Sequence, residues 1–149
     1  MRMHTNKNTL TGEITNTPMP YTTEEAIEEL KLRRNLELVK GHLLPSGLRL
    51  QTDIESTTNI LGLIKLGELA AAANQPFTPA AWSLGGGNYI PVDKSPISLP
   101  ELIELGLLMG THQQACHAKY QAAYAYIHNN VDGVDGVDFE LVINEGWPV

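Results

Sequence analysis

S-L-P-E-L-I-E-L-G-L-L-M-G-T-H-Q-Q-A-C-H-A-K-Y-Q-A-A-Y-A-Y-I-H-N, residues 98–129, is the longest apolar-periodic stretch of the chain. Leu102, Leu105, Met109, His112, Cys116, Tyr120, Ala123 and Ile127 recur at steps of three and four, which puts them on one stripe of an α-helix. Ser98 is a suitable N-cap, Pro100 fits the first turn, and Glu101 completes a capping box with Ser98. Before Thr111 apolar residues surround the helix; after it they narrow to the stripe. The helix is therefore expected to start inside a core and run out with one face toward solvent or a partner.

Two further helices are predicted upstream. Thr52-Asp53-Ile54-Glu55 forms a capping box that starts a helix running to about Asn74. Gly62 and Gly67 lie inside it, each costing helix stability relative to alanine. With Gly106 and Gly110 of the long helix they offer small surfaces where the two helices are expected to cross. The first helix opens at Thr22 or Thr23, with Glu25 as the third residue of a box from Thr22, and closes near Gly41. It carries two apolar stripes, Leu32, Leu36, Val39 and Leu43 on one side and Ile27, Leu30 and Leu38 nearly opposite. Two stripes fit a helix fully covered in one domain, or one that touches its own core and a neighbouring chain. The second stripe is taken as the contact surface.

The connecting segments read as extended pieces. Pro45-Ser46-Gly47 predicts a tight turn between two short strands within 42–52. Residues 81–84 and 88–92 predict a second hairpin around Gly85-Gly86-Gly87, with Trp82 and Tyr89 leaning on its hydrophobic face. After a V-D-G repeat, Val137, Phe139, Leu141 and Ile143 alternate as a strand would. Residues 1–20, rich in Thr and Asn, allow a short extended piece or hairpin around Leu10 and Ile14. The expectation is an α+β fold: three helices, two short β-hairpins, an extended N-terminal arm and a C-terminal strand. The divisions are 1–20 as docking arm, 21–129 as helical domain, and 130–149 as linker and strand.

Composition narrows the functions available. At 149 residues, 42% hydrophobic and 18% charged, the chain is long enough to bury a core. A net charge of −7 argues against nucleic acid, since phosphate binding needs clustered cations. Lys31, Arg33 and Arg34 are diluted by Glu24, Glu25, Glu28, Glu29 and Glu37. A single cysteine makes no internal disulfide. The opening M-R-M-H-T-N-K-N lacks the apolar run of a signal peptide. Lys65 and Glu68 interrupt the most hydrophobic segment, 54–73, so it reads as core and not as a membrane span.

Candidate chemistry is sparse. His112 and Cys116 share a helix face at i, i+4, a spacing that can grip zinc, but His117 points about 100° away from Cys116 and no second ligand pair is evident. A buried thiol beside a packed imidazole is the preferred reading. A Cys–His nucleophile pair lacks a nominated orienting group and oxyanion hole. Gly85–Gly87 is a turn, since no Gly-Lys-Ser/Thr follows as in a phosphate loop. Asp132, Asp135 and Asp138 lack the alternate spacing and distal Glu of a calcium loop.

The order of motifs between about Glu29 and His128 resembles an uncharacterised domain family of tailed-phage and prophage proteins, found with tail fibres and tail-fibre assembly. The residues carrying the resemblance are Arg33 and Glu37 in a charged first helix, a Gly-bearing hairpin, and Thr52-Asp53-Ile54-Glu55-Ser56 at a helix start. Trp82 before the glycine turn and His112-Gln113-Gln114-Ala115-Cys116 in the last helix complete them. Where family members often show Trp-Lys, this chain has Trp82-Ser83. The resemblance covers roughly two-thirds of the chain and carries over no catalytic residue.

It implies a structural component of a bacteriophage tail, at the baseplate or a tail-fibre attachment point, made in the host cytoplasm and placed in the virion tail. A tail-fibre assembly chaperone is the alternative, and a metal-dependent enzyme using His112 and Cys116 a third and weaker one. The expected partners are other tail or fibre proteins and further copies of the chain, a trimer among the options, with no cofactor, metal, nucleic acid or membrane. Extended segments gain most by adding to a neighbour's sheet, so 1–20 and 131–149 are expected to order through other chains. Leu10, Ile14, Ile27, Leu30, Leu38, Phe139, Leu141 and Ile143 are the candidate partner-binding residues.

Overall fold

Helix α1 (Thr23–Lys40) starts where Thr22 and Glu25 cap each other. The Thr22 N–H donates to Glu25 Oε2 at 3.0 Å and the Glu25 N–H donates to Thr22 Oγ1 at 3.3 Å. The computed structural model describes residues 3–7, 11, 14–18, 21–79, 82–85, 88–90, 97–130 and 139–149; of 3–7, 15–18, 82–85 and 88–90 it describes the backbone alone. Two antiparallel strands, β1 (Met3–Lys7) and β2 (Ile14–Pro18), precede α1, with Met3 opposite Pro18 and Lys7 opposite Ile14. Helix α1 stops at Gly41, whose φ of 75° is left-handed and whose N–H still donates to Glu37 O at 2.8 Å.

Strands β3 (His42–Leu43) and β4 (Arg49–Leu50) follow as an antiparallel pair. Helix α2 (Ile54–Ala72) takes Asp53 as its N-cap, with Oδ1 accepting from the Ser56 N–H at 2.9 Å. Strands β5 (Trp82–Gly85) and β6 (Asn88–Ile90) pair antiparallel, with an irregularity between Ser83 and Gly85. Helix α3 (Leu99–Asn129) opens on a second reciprocal box. The Ser98 N–H donates to Glu101 Oε2 at 2.8 Å and the Glu101 N–H donates to Ser98 Oγ at 3.4 Å. Helix α4 (Phe139–Asn144) closes the described chain, the Asn144 amide donating to Glu140 O at 3.0 Å.

The chain divides into two compact units whose boundaries fall inside α1 and α3. One contains Met1–Arg33 and Lys119–Gly146; the other contains Arg34–Ala118 and Trp147–Val149. In the first unit Ala26, Leu30, Tyr120, Ala123, Ile127, Phe139 and Ile143 are buried, marking the inner faces of α1, α3 and α4. The core of the second unit is Leu50, Ile60, Ile97, Leu102, Leu105 and Met109, with Leu63, Ile64 and Phe77 packed against it. Helices α2 and α3 approach closely here. A Cβ on Gly106 would sit 2.9 Å from Ile64 Cδ1, and one on Gly67 would sit 2.6 Å from Leu99 Cδ1. Those two glycines therefore let the helices pack. Among the described residues no helix is long and apolar enough to cross a membrane.

The expected α+β arrangement of three helices, two hairpins, an arm and a C-terminal strand needs correction. The described chain is mostly helical, with four helices and only two-stranded ladders. The supposed C-terminal strand is α4. Its alternation was too short to separate a period of 2 from one of 3.6, because Phe139 and Ile143 are also i, i+4 and share a helix face. Both are buried, and Leu141 between them is exposed. Of the two options for the N-terminal segment, a short extended piece or a hairpin, β1 and β2 form the antiparallel pair. The expected positions of the Trp82 and Tyr89 side chains, the glycines Gly86 and Gly87, and the repeat at 131–138 lie outside what is described.

Candidate functional site

Among the described residues, the second unit's buried polar side chains, Glu37, Thr52 and His112, cluster where α1 ends, α2 begins and α3 passes. His112 belongs to the buried stripe of α3, so helical periodicity delivers an imidazole into the interior. Thr52, fully buried, meets it: Thr52 Oγ1 lies 2.8 Å from His112 Nδ1 and donates to Leu38 O at 3.0 Å. The Thr52 N–H also donates to Leu38 O at 2.9 Å, and Gln113 Nε2 donates to Thr52 O at 2.8 Å and to Thr57 Oγ1 at 2.9 Å. Thr52 is thus tied to α1 and α3 through both backbone and side chain. The role expected of it, as helix cap, falls to Asp53.

Glu37 is the charged member, buried on α1, with Lys40 Nζ at 3.2 Å from its Oε2. His42 stacks obliquely near His112, ring centroids 5.8 Å apart at 55°, and its Nδ1 lies 3.0 Å from Val149 O. Burial holds His112 below the ordinary histidine range; the Pro148 carbonyl and Glu37 oppose that effect, while His42 and Arg49 add to it. Burial first, then Glu37, pushes the Cys116 thiol up to about 11. At neutral pH it is a thiol and neither nucleophile nor ready metal ligand. Its sulfur lies 3.8 Å from His112 Nδ1 and 3.9 Å from Nε2, nearly equidistant, so it packs against the ring without aligning on one nitrogen. Among the described residues no group of three or more His, Cys, Asp or Glu could hold a metal ion. His117 is exposed, on a different face from Cys116. The cluster works as a polar pin that joins three elements.

This pin has a pH signature. Because folding lowers the pKa of His112, the unfolded chain takes up a proton that the native chain refuses as pH falls below about 6.5. Stability is therefore complete above that pH and declines below it until the native imidazole itself protonates, by at most about 1.4 kcal/mol per pH unit. Urea midpoints measured at about pH 7.5 and about pH 5.5 check this. His112→Gln is expected to flatten the difference, and an unchanged slope in that variant refutes the assignment.

The candidate partner residues scatter. Leu30 is buried in the first unit, and Ile27 and Leu38 are half-buried. The stripe assigned to a partner is thus the one that turns inward. Leu32, Leu36, Val39 and Leu43 are exposed instead, with Leu36 at 63%. Phe139 and Ile143 are buried on α4, Leu141 and Ile14 are exposed, and Leu10 lies outside the described residues. Sequence reasoning passed over Glu37 and Thr52 as interior groups. One signal was available for Thr52: Thr52 and Asp53 are adjacent cap candidates, and one helix needs only one N-cap. A hollow of about 410 Å³ in the first unit, lined by Tyr21, Glu24, Glu25, Glu28 and Glu29, is open and acidic.

A family model described as Domain of unknown function (DUF4376) matches residues 22–141, most of the chain. No curated protein and no solved structure matches it.

Proposed function

We propose that this chain, which belongs to the DUF4376 family, is a structural component of a bacteriophage tail, at the baseplate or a tail-fibre attachment point, acting through protein–protein contacts. The tail assignment rests on the motif resemblance between Glu29 and His128; the family description adds no activity to it. The contact mode rests on one observation. Leu36 and Val39, preceded by Leu32, run at steps of four and three on the outside of α1, and Leu43 in β3 is exposed as well. That spacing is the seam along which one helix packs on another, and leaving it wet forgoes about 25 cal/mol for each Å² of apolar surface. A partner helix or groove recovers it.

The test is Leu36→Glu in a phage that encodes the protein. Leu36 is mostly exposed, so the variant is expected to fold with little change in stability and to be lost from purified particles, as read by mass spectrometry of virions. Wild-type protein absent from particles but bound to fibre intermediates in the infected cell would establish the chaperone alternative. Incorporation of the variant at wild-type level would exclude the α1 seam.

A further inference from the structure

We infer that the last three residues, Trp147–Val149, form a strap over His112 that acid releases. Although α4 belongs to the first unit, these residues belong to the second. Gly146 turns the chain out of α4 at a left-handed φ of 72°, so the strap hangs on a glycine. Two imidazoles fasten it. The Val149 carbonyl oxygen lies 3.0 Å from His42 Nδ1, and the Pro148 carbonyl accepts from the His112 ring. A carbonyl oxygen only accepts, so each imidazole is the donor. The rings are neighbours, with centroids 5.8 Å apart, yet their settings differ. His42 is half-buried on β3, whereas His112 is 3% exposed on α3. Trp147 and Pro148 are half-buried and Val149 is 66% exposed, so the strap is seated at its inner end and can peel from its tip. The inference concerns a motion within one unit and does not depend on the tail reading.

Acid is the trigger because the closed strap leaves a proton on His112 badly placed. Glu37 faces the ring from α1, His42 from β3, Arg49 from β4, Thr52 from the residue before the α2 cap, and Cys116 from the next turn of α3. Burial disfavours the imidazolium most, and His42 and Arg49 add to that; the Pro148 carbonyl and Glu37 favour it. The help from Glu37 is shared, since Lys40 Nζ lies 3.2 Å from its carboxylate. Cys116 holds its proton at neutral pH and brings no charge. Lifting Pro148 gives up one hydrogen bond but admits water to the ring, and water solvates the cation better than the closed cluster does. The pKa of His112 therefore lies below the ordinary 6.5 when the strap is closed and returns toward it when the strap is open. The closed form prevails above that pH. Below it the open form gains, by at most about tenfold per pH unit for one proton.

The test is fluorine NMR of the full chain labelled with 5-fluorotryptophan. The chain has 2 tryptophans, and Trp147→Phe identifies the signal of Trp147 by its loss. Between about pH 7.5 and about pH 5.5 a second, water-exposed Trp147 signal is expected to grow, while circular dichroism shows the helices intact. His42→Ala removes the bond to Val149 and is expected to raise the open population about fivefold at the upper pH. His112→Gln keeps an amide donor but takes up no proton, so it is expected to abolish the pH response. His117→Gln, at an exposed position of the same helix, is expected to leave the response unchanged. The wild-type titration decides even where a variant fails to fold. A single Trp147 signal throughout, or a second one that appears only with loss of helix, would overturn the inference. So would a response that survives His112→Gln, or an open population indifferent to His42→Ala.

Discussion

Replacing Gly41 by alanine is expected to cost about 3 kcal/mol of folding stability, the sum of left-handed backbone strain and a forced shift of packed backbone. The residue ends α1 at a φ of 75°, where a side chain carries a penalty of about 1–2 kcal/mol. A Cβ there would also strike the carbonyl of Leu50, which is backbone of β4 and cannot swing aside as a side chain would. Gly41 O accepts from Arg49 Nη1 at 2.9 Å, and Leu50 pairs with His42, so moving either partner disturbs both the helix end and the ladder. Asparagine, which tolerates left-handed φ elsewhere, is not expected to rescue the site because it brings the same Cβ. The urea midpoint and the thermal transition check this; for a chain of this size the melting temperature should fall by roughly 6–12 °C. A loss below about 0.5 kcal/mol would mean that the close approach of Gly41 to β4 is not needed.

The second large effect is expected at Ile60. It is fully enclosed on α2 among Leu50, Ile97, Leu102, Leu105 and Met109. Ile60→Ala removes buried carbons and leaves a cavity, at a cost of about 2–5 kcal/mol, whereas Ile60→Val is expected to cost about 0.5–1.5 kcal/mol. The ratio of the two reports how far the surrounding side chains collapse into the space. Urea denaturation of both variants provides the measurement. Near-equal costs would show that the packing around Ile60 is already loose.

Much of this molecule was legible as periodicity and capping. The stripe from Leu102 to Ile127 was predicted residue by residue, and all eight members are buried, because α3 is long enough for a 3.6-residue period to declare itself. The boxes at Thr22–Glu25 and Ser98–Glu101 were equally plain, since a cap is a bond within four residues and needs nothing distant. The glycines that allow α2 and α3 to meet were visible as a notch, yet only the assembled unit separates the enclosed Gly67 and Gly106 from the open Gly62.

What tertiary structure decided is which side of each element faces inward. Helix α1 carries two apolar stripes of comparable strength, and hydrophobicity alone does not rank them. Leu30 turned inward and Leu36 outward, with Glu37 drawn in beside Lys40, because of where the rest of each unit stands. The same holds for Thr52, whose sequence neighbourhood offers a helix cap and whose distant neighbours, Leu38 and His112, convert it into a buried link. At 139–143 the alternating pattern fitted strand or helix, and a six-residue helix burying Phe139 and Ile143 prevailed. Local bonds are written in local sequence; the choice between equivalent faces depends on contacts between residues far apart in the chain, and those exist only once the chain has folded.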